Sequence, residues 1–314
     1  MIKNSDILFI YDAKLCNPNG DPDDENKPRM DYETRTNLVS DVRLKRYIRD
    51  YLESKGYEIF VAKVDGETVD ATTRLKKFFG KQGKEVSLSK LSKEDINFIL
   101  SKLIDVRMFG ATMPIKAKEG ETKGASSNFT GPIQFNWGYS LNKVELVESA
   151  SITSTFAGKD TGGKGEYGTF GKDWRVYYSL IAFHGIISGY RAEHTKLTEE
   201  DIKLLDESLL FAIPKMASTR SKIGQTPRFI LRIEYKDKET FLGDLRDRVK
   251  ISPIEGLRDI SDFEINFTEL EKLLKENQNR IERIFIYEDK DLKILNGSLK
   301  ERLSSNFNVI NIPY

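Results

Sequence analysis

The sequence predicts an α+β fold whose core runs strand, helix, strand, strand, helix, strand, the ferredoxin-like order. Three observations predict it. Apolar runs of strand length occur at 6–12, 133–141, 176–187 and 229–235. Helical periodicity fills 35–53 and the stretch from Thr198 to Phe211. Two insertions, at about 56–131 and 142–175, interrupt the core between its first helix and second strand and between its two middle strands.

The first strand takes in Ile7, Leu8, Phe9, Ile10 and Tyr11. The segment Cys16–Asp31 follows, and its three prolines and one glycine continue neither strand nor helix. Its Asn and Asp residues favour Asx-turns, which leave backbone N–H groups free to face an anion. The helix over 35–53 places Leu38, Val42, Leu44, Tyr47, Ile48, Tyr51 and Leu52 on one side. Arg35, Arg43 and Arg46 gather opposite.

A strand is expected at Glu58–Val64 and charged helices over 71–104, where Ser92 with Asp95 forms an N-terminal cap. Residues 116–131 read as a polar loop, and 133–141 as a strand with Phe135, Trp137 and Tyr139 on one face. Residues 142–175 alternate and then turn Gly- and Lys-rich over Gly158–Lys172, as a basic hairpin tip would. Val176–Ile187 is a long apolar strand ahead of Gly189. Thr198 with Asp201 opens the second core helix, which Pro214 is expected to stop, and Phe229–Tyr235 is the last core strand. Beyond about 240, a helix over Thr268–Glu282 and a strand over Ile284–Tyr287 form a C-terminal extension.

A chain of 314 residues buries a sizeable core as one domain or two. With 39% hydrophobic and 32% charged residues it reads as soluble, and no run approaches the roughly 18 apolar residues that span a bilayer. The N-terminal residues lack a signal-peptide pattern, and a lone cysteine, Cys16, excludes an internal disulfide, so a reducing cytoplasm is expected. The net charge of +1 is too small for a chain that is basic overall, but it is unevenly spread. Basic residues outweigh acids from Lys27 to Arg49, no acid occurs from Lys215 to Arg232, and acids dominate from Glu255 to Glu276. One side is thus expected to face a polyanion.

Most catalytic motifs fail. Asp21, Asp23 and Glu25 begin a calcium-loop pattern, but Asn26 and Tyr32 stand where glycine and glutamate are required. Asp21, Asp23 and Asp24 leave open a metal-dependent nuclease site. Gly158–Gly165 nearly spells a phosphate loop but lacks the hydroxyl after Lys164, and Gly163–Gly168 matches G-x-G-x-x-G without a helix start behind it. His184 lies in an apolar strand and reads as a core or edge residue. His184, His194 and Cys16 are too few for a Cys/His zinc site, and no G-x-S-x-G elbow occurs. The connection Ala217–Arg228 is rich in hydroxyls, amides and cations, the usual contacts to phosphate and sugar.

Asn17-Pro18-Asn19-Gly20-Asp21-Pro22, Pro28-Arg29-x-Asp31 and Asp41–Arg49 together resemble the CRISPR-associated Cas-seven family, most closely its Csh-two branch of type I-B systems. Further matches are Asp105–Ala111, Gly131-Pro132-Ile133-Gln134, Thr219-Arg220-Ser221-Lys222 and Pro227-Arg228, in the family's order from about 6 to 236. The resemblance implies a hand: a ferredoxin-like, RRM-like palm (1–55, 132–141, 176–239), a helical finger insertion (56–131) and a β-hairpin thumb (142–175), with 240–314 packed on the palm. It implies a non-enzymatic backbone subunit of a Cascade complex that polymerises along a CRISPR RNA without metal or cofactor. The implied partners are that RNA, neighbouring copies, Cas-five-type and large subunits, target DNA and, indirectly, a helicase-nuclease.

A guide of variable sequence must be held by phosphate and 2′-hydroxyl while its bases stay free. The chain accordingly lacks the paired stacking aromatics of an RNP1 signature. The residues expected to hold RNA are Asn17, Asn19, Gly20 and Arg29 in the first loop, and Arg43, Lys45, Arg46 and Arg49 on the first helix. Arg107, then Lys159, Lys164 and Lys172 of the thumb, and Arg220, Lys222, Gln225 and Arg228 complete the set. Phe156 and Phe170 are the thumb's wedge candidates. Related type III subunits cut RNA with a loop aspartate, so Asp21 or Asp23 as a metal-dependent ribonuclease residue is the alternative.

Overall fold

The strand β1 (Ser5–Cys16) is buried without a break from Ser5 to Ala13. Such a run belongs to a strand covered on both faces. In the computed structural model, which describes residues 1–64, 66–84, 86, 88, 91–115, 125–148, 151–157 and 168–313, β1 lies inside a nine-stranded sheet.

Short strands β2 (Gly20–Asp21), β3 (Lys27–Pro28) and β4 (Met30–Asp31) follow, and β2 pairs with β3. The first helix starts later than its periodicity suggests. Thr36–Val39 is a strand, β5, paired with β4, and α1 runs Asp41–Ser54. Ser40 caps it by accepting from the Arg43 amide, and Arg35 takes a left-handed φ of 57°, which no helix continues. The expected faces also shift: Val42 is exposed, whereas Lys45 is buried and ion-paired to Asp41 at 3.0 Å.

The segment Glu58–Val64 is not a strand. Its Phe60 and Val61 amides donate to the Asp105 carboxylate at 2.8 and 3.1 Å instead of to a ladder. Helices α2 (Ala71–Lys81), α3 (Lys93–Lys102) and α4 (Ile104–Phe109) follow, with the Ser92–Asp95 capping box in place. The expected 116–131 loop is in part a strand: β6 (Gly110–Ile115) pairs antiparallel with β7 (Ala125–Thr130). Gly110 is required there, since a Cβ would meet the Phe129 carbonyl at 2.1 Å and φ is +76°.

The strand expected at 133–141 breaks into β8 (Ile133–Phe135) and β9 (Gly138–Ser140), leaving Trp137 exposed between them. Strands β10 (Ser151–Ala157) and β11 (Gly168–Lys172) pair antiparallel, and β12 spans Val176–Ile187. Helices α5 (Gly189–Thr195) and α6 (Glu199–Met216) come next. α6 outruns Pro214, whose missing N–H falls in the last turn, where the Ala217 amide still donates to Ile213. β13 (Gln225–Tyr235) begins earlier than expected and is bulged against β1, Ile10 facing Phe229 and Tyr11 facing Pro227. The remainder holds β14 (Lys250–Ser252), β15 (Glu264–Asn266), α7 (Thr268–Glu276), β16 (Ile281–Glu288), α8 (Leu299–Ser304) and β17 (Val309–Asn311). The expected 268–282 helix therefore ends early, and its last residues enter β16.

The sheet order is β17-β16-β13-β1-β12-β9-β5-β4, with β8 also on β12. The central ladders are antiparallel and β16–β17 is parallel, which makes the sheet mixed. Ile7, Phe9 and Tyr11 face α1 and α6 in one core with Ile48, Leu205 and Leu209. Leu8 and Ile10 point the other way, into a second core with Tyr178, Phe229, Phe267 and Leu303. A third, smaller core gathers Phe60, Leu75, Phe78, Ile99 and Met113. No helix among the described residues is long and apolar enough to cross a membrane.

Two tests follow. Asp105 is fully buried and also accepts from Arg49 at 3.0 Å, so Asp105→Ala strands a guanidinium and two amides. It should cost about 3–5 kcal/mol in denaturation and unprotect the Phe60 and Val61 amides in hydrogen exchange; wild-type protection would contradict this. Cys16 is buried, and that burial pushes its thiol up to about 12. Iodoacetamide at pH 8 should label it only after denaturation, and rapid labelling of the native chain would contradict the packing.

Candidate nucleic-acid interface

Three segments meet at one end of the sheet: the end of β1, the connection from α6 to β13, and the first turn of α1. The Lys14 amide donates to Gly224 at 2.8 Å and the Asn17 amide to Ser221 at 2.7 Å. A Cβ on Gly224 would meet the Lys14 carbonyl at 2.4 Å, with φ at +111°, so only glycine allows this approach. Lys222 Nζ donates to the Asn17 carbonyl at 2.6 Å. Gln225 Nε2 reaches the Tyr47 hydroxyl at 3.2 Å and joins the connection to α1.

Arg43 lies with its guanidinium 4.0 Å from the Tyr47 ring centroid, and its Nε–H has no partner among the described residues. Among the described residues, neither Arg43 nor Lys222 is ion-paired to a carboxylate. Burial, and then the Arg43 charge, pull the Lys222 ammonium down to about 8. Exposed Leu15, Val42 and Ile223 come from the same three segments. Arg175, just before β12, donates to the Leu15 carbonyl at 2.7 Å and ties the foot of the β10–β11 hairpin to this end. Arg220 is exposed and 3.5 Å from Asp173, and exposed Lys172 lies 5.7 Å from the Trp174 ring centroid.

The other expected RNA-holding residues lie in internal contacts. Asn17 is buried and donates to the Asn26 carbonyl at 2.7 Å. Asn19 Oδ1 accepts from the Ser40 amide and hydroxyl at 2.9 and 3.0 Å, and Gly20 packs against Asn26. Arg29 pairs with Asp21 at 2.9 Å. Lys45 bonds Asp41 and Gln134, Arg46 pairs with Asp50 at 2.6 Å, and Arg49 with Asp105. Arg107 grips Asp201 of α6 with two bonds, at 2.9 and 2.8 Å. Arg228, the bulged residue of β13, bridges Asp12 at 2.9 Å and Asp289 at 3.2 Å. Gln225 is buried.

Phe156 and Phe170 lie on β10 and β11, and Lys159 and Lys164, with the Gly158–Gly165 motif, fall outside the described residues. Sequence reasoning missed Arg175 and Leu15. The one available signal for Arg175 was its place between Trp174 and the apolar strand; nothing local marks Leu15.

The acidic loop is engaged as well. Asp21 takes the Arg29 guanidinium and the Asp23 amide. Among the described residues, no three His, Cys, Asp or Glu side chains are grouped to hold a metal ion. His184 lies 3.8 Å from the buried Asp6 carboxylate, inside the sheet.

A family model for the CRISPR-associated protein Cas7 matches residues 3–268. A curated Haloferax volcanii protein named CRISPR-associated protein Cas7 is 33% identical over 306 residues, covering 93% of this chain and 89% of that protein. A chain from a solved structure titled "CRISPR RNA-guided surveillance complex, pre-nicking" has a similar fold, with a TM-score of 0.54 at 14% identity, over 97% of this chain and 100% of that one. The α+β sheet, the order of the matched motifs and these similarities together make the chain a member of the CRISPR-associated Cas7 family.

Proposed function

We propose that the chain is a backbone subunit of a type I-B CRISPR surveillance complex, of the Csh-two branch. It polymerises with copies of itself along a guide RNA, in the cytoplasm, and supports recognition of target DNA. Family membership supports the backbone role. The observation that carries RNA binding is that Arg43 and Lys222, beside a strand end, are two cations with no carboxylate partner among the described residues.

In this reading 1–55, 132–141 and 176–239 form an RRM-like palm. The order β13-β1-β12-β9, with α1 and α6 on one face, supports it, since that is the ferredoxin-like order. Residues 56–131 form the finger, supported by the separate apolar core there, and 142–175 the thumb, supported by the β10–β11 hairpin. Residues 240–314 cover the sheet face on which an RRM usually stacks bases. The guide is then held from the strand ends through Arg43, Lys222, Arg220 and Lys172. Arg29, Lys45, Arg49, Arg107 and Arg228 serve as braces. Phe156 or Phe170 wedges beside a displaced nucleotide.

The partners are the guide RNA, neighbouring copies, Cas-five-type and large subunits, target DNA and a recruited helicase-nuclease. The role is non-enzymatic. The ion pair of Asp21 with Arg29 favours this over RNA cutting by Asp21 or Asp23.

Replacing Arg43 and Lys222 together by Ala should weaken binding of a single-stranded RNA about tenfold or more and flatten the log K against log salt slope by about 1.4. Filter binding across a salt series reads both. An unchanged affinity and slope would reject this pair as a backbone contact.

A further inference from the structure

The acidic stretch that opens at Glu255 does not stand apart from the basic segments. It folds back onto three cations from three parts of the palm sheet. Lys14 of β1 pairs with Asp259. Arg35, in the turn before β5, pairs with Glu255 at 2.5 Å, and Lys143, beyond β9, lies 3.6 Å from the same carboxylate. Glu145 joins them, 4.0 Å from Arg35 and 2.5 Å from Arg258. These pairs differ from the buried braces. The side chains of Lys14, Arg35 and Lys143 are 41 to 50% exposed, against 11 to 14% for Arg49, Arg107 and Arg228. Exposed pairs add little to stability, so the fold does not depend on them and another anion can replace the carboxylate at small cost.

We propose that the loop 254–262 is a built-in competitor of RNA: Glu255 and Asp259 cover Lys14, Arg35 and Lys143, and an RNA backbone displaces them. This rests on the RNA-binding reading above and adds a regulation to it. The loop keeps its shape without the three ammonium and guanidinium heads. Asp259 accepts from the Ser261 amide at 3.1 Å, and Asp262 accepts from the Arg258 and Asp259 amides at 2.8 Å each. The Ile254 carbonyl accepts from the Lys143 amide at 2.7 Å, and the Val144 amide donates to the Arg35 carbonyl at 2.8 Å. Backbone bonds thus hold the acids and the cations opposite one another, and the ion pairs themselves are free to exchange.

The bond from Lys14 holds Asp259 down to about 2, and Arg35 and then Lys143 hold Glu255 below the usual carboxylate range. Both acids are therefore charged at neutral pH and compete in full. The loop sets two carboxylates against the three cations, whereas an RNA strand carries one negative charge per nucleotide in an unbroken row. A strand that engages many cations at once displaces the loop, and an anion that reaches only one or two does not. Displacement also leaves a trace in the salt dependence. Each phosphate contact releases condensed counterions, but the freed Glu255 and Asp259 draw cations back from solution and offset part of that release. A chain with a neutral loop therefore has the steeper salt slope.

Binding of a single-stranded oligoadenylate to the full chain across a salt series tests it. Glu255→Gln with Asp259→Asn removes both charges and keeps the side-chain shapes, and Asn caps the short turn as Asp does. This variant should bind about three- to tenfold tighter at low salt and steepen the slope of log K against log salt by about 1 to 2. Glu264→Gln with Glu269→Gln removes as much charge from the same acidic stretch, at two acids that pair with none of the three cations, and should change both far less. Adding Lys14→Ala and Arg35→Ala to the loop variant should cancel its gain. An unchanged affinity and slope in the loop variant, an equal gain in the Glu264 and Glu269 variant, or a gain that survives the loss of Lys14 and Arg35 would overturn the competitor alone. Failure of every one of these chains to bind would overturn the RNA-binding reading and the competitor with it.

Discussion

The central strand β1 sends Ile7, Phe9 and Tyr11 into one core and Leu8 and Ile10 into another, so the sheet has no open face over its middle strands. Period-two alternation with both sets apolar leaves the sheet to be covered on both sides. The two helices cover one side and the segment after 240 covers the other. A polyanion cannot lie on Tyr178, Phe229 or Leu231 without displacing that second layer. In the proposed reading, the guide is therefore held at the strand ends and on the loops they carry.

Buried charges show where the chain is braced and where it is left open. Arg107 with Asp201 ties α4 to α6, and Arg49 with Asp105 ties α1 to the segment around Phe60. Arg228 with Asp12 and Asp289 ties two core strands to the C-terminal layer. Removing one member of such a pair leaves a buried charge alone, so these arginines act through the fold. Among the described residues, Arg43 and Lys222 have no such partner; Arg43 lies on an aromatic ring and Lys222 donates to a backbone carbonyl, which leaves their charge available.

Long apolar strands were the most legible elements. Val176–Ile187 matches its sequence boundaries, and Ser92 with Asp95 caps α3 as its spacing predicts. Short elements were not legible. Thr36–Val39 shares its apolar residues with the helical periodicity behind it, and only the cap at Ser40 separates the two. Glu58–Val64 has strand composition but gives its amides to Asp105, a partner far along the chain. The site was legible as a set of basic segments, because cations and acids can be counted in order. Which cation is paired was not, since Asp105, Asp201 and Asp289 come from distant parts of the chain.

The most direct measurement is photo-crosslinking of bound single-stranded RNA to the full chain, with the crosslinked peptides identified by mass spectrometry. The account predicts crosslinks in the peptides holding Lys14–Asn17, Val42–Tyr47 and Thr219–Gly224, and none at Tyr178, Phe229 or Leu231 on the covered sheet face. Crosslinks concentrated on those sheet residues would contradict it, because RNA would then occupy the face that the C-terminal layer is held to close.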